Sequence, residues 1–166
     1  MARIGTWPAV QVTVSREQAL AELLRSAPRA FRMAADLLRD RAEAEDVVQE
    51  ALARVCRDFE SVRDPQAWFF RVVVNLCMRV QRRRRWRAIF WTSDIDSAPG
   101  PDERAAHREL LAAVDGLPAM QRTAIVLRYA QELSVAEIAQ LLGVGEGTVK
   151  THLSRGLARL RKRMGA

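Results

Sequence analysis

Cysteine and histidine are nearly missing from this chain. Cys56 and Cys77 are the only cysteines, and His107 and His152 the only histidines, among 166 residues. Both cysteines sit in apolar helical runs, without Cys-x-x-Cys spacing or a neighbouring histidine. That excludes a disulfide framework and a zinc ribbon, and fits two packed thiols in a reducing compartment. His107 stands near a polar linker and His152 inside a basic helix, so no histidine converges with carboxylates on a metal. No metal and no cofactor are expected. There is no Gly-rich phosphate loop and no nucleophile with a base beside it, so an enzyme has little support. Apolar runs fall short of the ~20 residues that cross a bilayer, and no signal-peptide pattern is present. No membrane insertion is expected, and a cytoplasmic location is. Strand alternation is confined to Val10, Val12 and Val14, so the expected fold is all-α.

What is present is apolar and basic. Hydrophobic residues make up 49% and aromatics 6%, a mix suited to small helical domains with Leu, Ala and Val interiors. The length allows one or two of them. The formal net charge is +7, and Lys150 and Lys162 are the only lysines among 27 basic residues. Arginine makes planar, bidentate contacts with phosphate and guanine edges, so the charge suits a polyanionic partner. A GC-rich genome produces the same Arg and Ala excess, and takes the larger share of it.

Residues 1–14 carry Gly5 and Pro8 and read as a loose N-terminal arm. Ser15, with Gln18 three residues on, is a capping-box signature and predicts a helix start. Pro28 predicts the opening of the next helix. A third is expected from about Ala42 to Phe59, with Val47, Val48, Ala51, Leu52 and Val55 on one side. Asp64-Pro65 supplies an N-cap and a first-turn proline for a fourth. Its first half is apolar almost all round, which predicts a central place in a bundle. Its second half is the run Arg82 to Arg85. Residues 92–102 then turn polar and acidic, with Pro99, Gly100 and Pro101, the composition of a linker. Beyond them Leu110, Leu111 and Val114 mark one helix, and Leu117-Pro118 opens another. The expected architecture is two small helical domains, 15–91 and 103–166, joined by a flexible linker at 92–102. The second contains a helix-turn-helix.

That motif runs from Ser134 to Arg163. Ser134 and Glu137 form another capping-box pair. Ala139 allows close approach of two helices, Gly143 permits the turn between them, and Val149 packs the second back on the first. At about 100° per residue, Val149, Leu153, Leu157 and Leu160 fall in one stripe, with Thr151, Arg155, Ala158 and Lys162 opposite. A recognition helix reads bases with its N-terminal residues, so Lys150, Thr151, Ser154 and Arg155 are the candidates. Arg159, Arg161, Lys162 and Arg163 are placed for phosphates, which add affinity without sequence information. The alternative is an ordinary basic surface helix. The Ala-Gly-Val spacing, the cap and the one-sided charge together favour DNA.

Ala44-Glu45-Asp46-Val47-Val48-Gln49-Glu50-Ala51-Leu52 resembles region 2 of extracytoplasmic-function sigma factors, as does Ala67 to Leu76 (Ala-Trp-Phe-Phe-Arg-Val-Val-Val-Asn-Leu) with the arginine run behind it. Leu117 to Arg122 and Ser134 to Arg161 resemble region 4 of the same family. The resemblance covers about residues 16–90 and 103–163, in the family's order with a linker between. It implies a dissociable initiation subunit of bacterial RNA polymerase, with core RNA polymerase and promoter DNA as partners. Region 2 then docks on the polymerase through Glu45, Asp46, Gln49 and Glu50. It engages the −10 element through Val62, Arg63, Asn75, Arg79, Arg82 and Arg83. Val62 to Ala67 corresponds to the loop that holds a flipped −10 base, and Asn75 to a position lining that pocket. Trp68 matches the family's tryptophan, for which a core role is the simpler reading. Arg79 and Arg82 to Arg85 read as phosphate contacts, or else as a solvated helix end, and Arg79 stands where many members carry an acidic residue. Region 4 reads the −35 element through Lys150, Thr151, Ser154, Arg155 and Arg159. An anti-sigma factor as a further partner is implied by analogy alone.

Without the resemblance, the acidic residues from Glu45 to Glu50 are a solvated helix face. Paired carboxylates also suit metal or acid–base chemistry, but no histidine or third acidic cluster joins them. Gly147 to Leu153 also looks like the effector domain of two-component regulators, which bind duplex DNA without polymerase. Those pair it with an α/β receiver or ligand domain, and the amino-terminal half here reads all-α.

Overall fold

The computed structural model describes residues 16–90 and 103–165, and every element among them is helical. The expected arm at 1–14 and linker at 92–102 lie outside the described residues. A first group comprises α1 (Arg16–Leu38), α2 (Arg41–Asp58) and α3 (Pro65–Phe90), with a 3-10 turn at Phe59–Ser61 ahead of α3. A second comprises α4 (Glu103–Asp115), α5 (Ala119–Tyr129), α6 (Val135–Leu142) and α7 (Glu146–Met164).

Pro28 does not open a helix; it lies inside α1. An interior proline removes one backbone hydrogen bond and costs ~3 kcal/mol. Packing on both sides of it outweighs that cost. Leu23 before it and Ala30, Met33, Ala34 and Leu37 after it are at most 2% exposed, and burying one Leu or Met side chain contributes about 1.5–3 kcal/mol. α1 ends where Arg39 turns left-handed, with φ 55°, and its N–H bonds back to the Ala35 carbonyl at 2.7 Å. Asp40 then caps α2, its carboxylate accepting from the Glu43 N–H at 3.0 Å. Asp64 does the same for α3, accepting from the Ala67 N–H at 2.9 Å, with Pro65 at the first helical position.

α3 is central, as its apolar girdle predicts. Phe69, Val73, Val74 and Cys77 are fully buried, and the helix packs on α1 and α2 as well as on α5 and α6. Burial pushes the Cys77 thiol up to about 12, so it stays protonated and unreactive near neutral pH.

Arg84 corrects the expectation that the whole arginine run faces phosphate. Its guanidinium donates to the Leu38 carbonyl at 2.7 Å and pairs with Asp40 at 3.3 Å and Glu43 at 2.6 Å. It ties the end of α1 to the start of α2, hydrogen-bonded to the Leu38 carbonyl and the Asp40 carboxylate and ion-paired with Glu43.

The two groups touch. Their buried residues form one contiguous cluster. Three polar contacts bridge its rim: Gln131 Nε2 donates to Asp36 at 2.6 Å, Arg39 pairs with Asp115 at 3.6 Å, and Arg71 Nη2 donates to the Gln140 carbonyl at 3.0 Å.

Candidate nucleic-acid interface

The helix pair α6–α7 is built as its sequence predicts. The Ser134 hydroxyl accepts from the Glu137 N–H at 3.2 Å, and the Glu137 carboxylate accepts from the Ser134 N–H at 2.7 Å. That backbone bond holds the Glu137 carboxyl below the usual carboxylate range. Gly143 ends α6 at φ 68° and ψ 34°, its N–H directed at the Ala139 and Gln140 carbonyls. This is the left-handed C-cap that glycine adopts without strain. Val149 and Ile138 are fully buried and Ala139 is nearly so, which locks the two helices together. Leu153, Gly156 and Leu160 continue the buried stripe of α7. Gly156 lets α7 approach α5 closely, since a Cβ there would lie 3.2 Å from Ile125 Cγ1.

The opposite side of α7 faces outward. Lys150, Thr151, Ser154, Arg155 and Arg159 are all exposed, as are Arg161 and Lys162. The Thr151 hydroxyl donates to the Gly147 carbonyl at 2.8 Å. Lys150 lies 3.7 Å from Glu146, one turn earlier. Arg163 departs from expectation. It donates to the Ala113 carbonyl at 3.0 Å and the Gly116 carbonyl at 3.2 Å, so it closes the C-terminal end of α4 rather than pointing at a phosphate. Free carbonyls at a helix end attract a cation. A Cβ on Gly116 would fall 1.8 Å from Arg163 Nη1.

A cavity of about 390 Å³ lies where α2 turns into α3, lined by Asp58, Ser61, Val62, Arg63, Asp64, Ala67, Trp68 and Arg71. The 3-10 turn shapes it, and the Ser61 hydroxyl donates back to the Asp58 carbonyl at 2.7 Å. Its volume falls at the lower end of the range for small-molecule sites. Trp68 serves two purposes, packing half-buried against the core and lining the cavity. Arg71, not among the residues expected at the −10 element, also lines the cavity. The available signal was a lone charge one turn after Trp68 in the apolar run Trp68 to Val74. Asn75 is exposed one turn beyond Arg71 and is not among the lining residues. Arg79, Arg82 and Arg83 follow on later turns, all exposed. Arg82 Nε also donates to the Met78 carbonyl at 3.4 Å.

The four acidic and polar positions of α2 share its outer side. Glu45, Asp46, Gln49 and Glu50 are exposed, while Ala44, Val47, Val48 and Ala51 are buried. Gln49 donates to Glu45 at 3.4 Å, and Glu50 pairs with Arg54. Among the described residues no group of three or more His, Cys, Asp or Glu is placed to hold a metal, and no helix is long and apolar enough to cross a membrane.

Comparison with known proteins agrees with this layout. Sigma-70 region 2 matches residues 23–87, and sigma-70 region 4 matches residues 107–160. The RNA polymerase sigma-E factor of Streptomyces coelicolor is 34% identical over 148 residues, covering 86% of this chain and 79% of that protein. The ECF RNA polymerase sigma factor SigL of Mycobacterium tuberculosis is 36% identical over 141 residues, covering 79% of this chain and 80% of that protein. Among solved structures, the sigma factor RpoE of Bartonella quintana, in complex with the anti-sigma factor NepR, superposes with a TM-score of 0.61 at 28% identity, covering 88% of this chain and 96% of that one. With region 2 in its first group of helices and region 4 in its second, the chain belongs to the sigma-70 family, in its ECF group.

Proposed function

We propose that this chain is a dissociable initiation subunit that binds core RNA polymerase and directs transcription from chosen promoters. It reads the −10 element with α2–α3 and the −35 element with α7. The observation that carries this reading is the combination, on one chain, of an open cavity beside Trp68 on region 2 and an outward-facing basic helix on region 4.

At the −10 element a base leaving the duplex enters the cavity and meets the π-face of Trp68. Base–aromatic stacking contributes about 1–3 kcal/mol and tolerates any base. Val62 and Arg63 form one wall, and Arg71 supplies donors beside Trp68. Asn75, Arg79, Arg82 and Arg83 track the strand along α3. At the −35 element Lys150, Thr151, Ser154 and Arg155 face base edges, and Arg159 faces phosphate. Glu45, Asp46, Gln49 and Glu50 offer the polymerase an acidic face on an otherwise basic protein. No bond-making step belongs to this chain; polymerase supplies the chemistry. The place of action is the cytoplasm. An anti-sigma factor is a further partner, supported by the structural likeness to a sigma factor solved with one.

The test is transcription with core polymerase on a genomic library, followed by start-site mapping. The expected result is a discrete set of starts sharing two upstream elements. Failure to bind core polymerase, or specific duplex binding without it, overturns the reading.

A further inference from the structure

We infer that Glu146 and Lys150 act together as a reader of one G·C base pair in the −35 element; this rests on the promoter-reading function proposed above. Glu146 is the first residue of α7, the end that a recognition helix turns to base edges. Its carboxylate and the Lys150 ammonium lie 3.7 Å apart, with side chains 54% and 67% exposed. The pair therefore presents one acceptor and one donor side by side on the reading surface.

A carboxylate there carries a cost. Phosphates repel it, so it weakens binding to every sequence that offers it no donor in return. That penalty on the wrong partner is a device for specificity. In the major groove cytosine offers its N4 amino group to Glu or Asp, and guanine offers two adjacent acceptors, O6 and N7, to Lys or Arg. A single G·C pair thus meets both ends of the ion pair. An adenine sets a donor beside its only acceptor, which suits an ammonium less well.

The surroundings leave room for this contact. Apart from its adjoining residues and its own helix backbone, no described atom lies within 4 Å of where a Cβ on Gly145 or Gly147 would stand. Thr151 has its hydroxyl proton committed to the Gly147 carbonyl at 2.8 Å. Glu146 is thus the one acidic side chain among the exposed reading residues at the head of α7.

The experiment is a randomised −35 library transcribed by core polymerase with the full chain, comparing wild type with Glu146→Ala, Glu146→Gln, Lys150→Ala and the double alanine variant. Glu146→Ala and Lys150→Ala should flatten the preference at the same base pair, each by about five- to a hundredfold, and the double variant should lose little more than either. Glu146→Gln, which presents a donor with its acceptor, should shift that position toward A·T. Circular dichroism melts of the variants check that α7 stays folded. The inference is overturned if Glu146→Ala raises output on all sequences alike, since the carboxylate then only repels phosphate. It is also overturned if the two single variants act at different base pairs. A wild-type profile with no −35 preference overturns the promoter-reading function itself, and this inference with it.

Discussion

Arg163 separates a structural arginine from a DNA-binding one, and Arg163→Ala measures the difference. Its guanidinium bonds the Ala113 and Gly116 carbonyls at 3.0 and 3.2 Å. A hydrogen bond to a charged group contributes about 1.5–3 kcal/mol when sheltered; here the site is open, so about 1–2 kcal/mol for the two together is the working figure. In a chain of this length each kcal/mol moves Tm by roughly 2–4 °C, so the variant should melt about 2–8 °C lower. Gly116→Ala should do much the same by another route. The new methyl occupies the position of Arg163 Nη1, 1.8 Å away, and drives the side chain off both carbonyls. The double variant should therefore melt no lower than the worse single one, which is the non-additivity expected of a shared contact. DNA binding supplies the independent readout. Each phosphate contact contributes about 0.9 to the slope of log affinity against log salt. Arg163→Ala should leave that slope unchanged, whereas Arg159→Ala should reduce it by about 0.9. An unchanged Tm for Arg163→Ala together with a shallower salt slope would refute the structural assignment.

Two further outcomes follow from α6. Ser134→Ala should cost about 1 kcal/mol by denaturant titration. Glu137 has its folded-state pKa lowered, so its contribution is present above the ordinary carboxylate pKa and is lost as pH falls through the lowered one. The deficit of Glu137→Ala should therefore shrink in acid, and one that stays constant down to low pH contradicts the carboxylate's bond to the Ser134 N–H. Gly143→Ala should cost about 1–2 kcal/mol although nothing lies within 4 Å of the added methyl, because the left-handed backbone alone opposes it; an unchanged unfolding midpoint would exclude that origin.

The parts of the molecule that could be read in advance are those governed by neighbours along the chain. Asp64-Pro65, Ser134 with Glu137, and Gly143 act within one turn, and the stripe Val149–Leu153–Leu160 follows from helical spacing alone. The misread parts depend on residues far away in sequence. Pro28 looks like a helix start until the packing on both sides of it is known. Arg84 and Arg163 look like their exposed neighbours, yet each is bound by carbonyls more than forty residues distant. Arg71 is local to the cavity but sits in an apolar run, where periodicity assigns it no role. Charge type is visible in a sequence; which oxygen a guanidinium reaches is not.

The contacts between the two groups of helices carry a consequence for length. Elements centred at −10 and −35 are about 25 base pairs apart, roughly 85 Å along the duplex. A compact body made of the described residues 16–90 and 103–165 has a radius of gyration of about 14 Å and is about 40 Å across. Held together by Asp36–Gln131, Arg39–Asp115 and Arg71–Gln140, the described helices are too short to touch both elements. Contact with both elements at once requires the two groups to part, which breaks those three contacts and splits the apolar seam between the groups. Every 1.4 kcal/mol by which they favour the closed form lowers the apparent affinity for polymerase and promoter about tenfold. The Arg71 donor at the rim of the cavity beside Trp68 becomes free in the same step, so the reach of the protein and the readiness of its −10 pocket are set by one equilibrium.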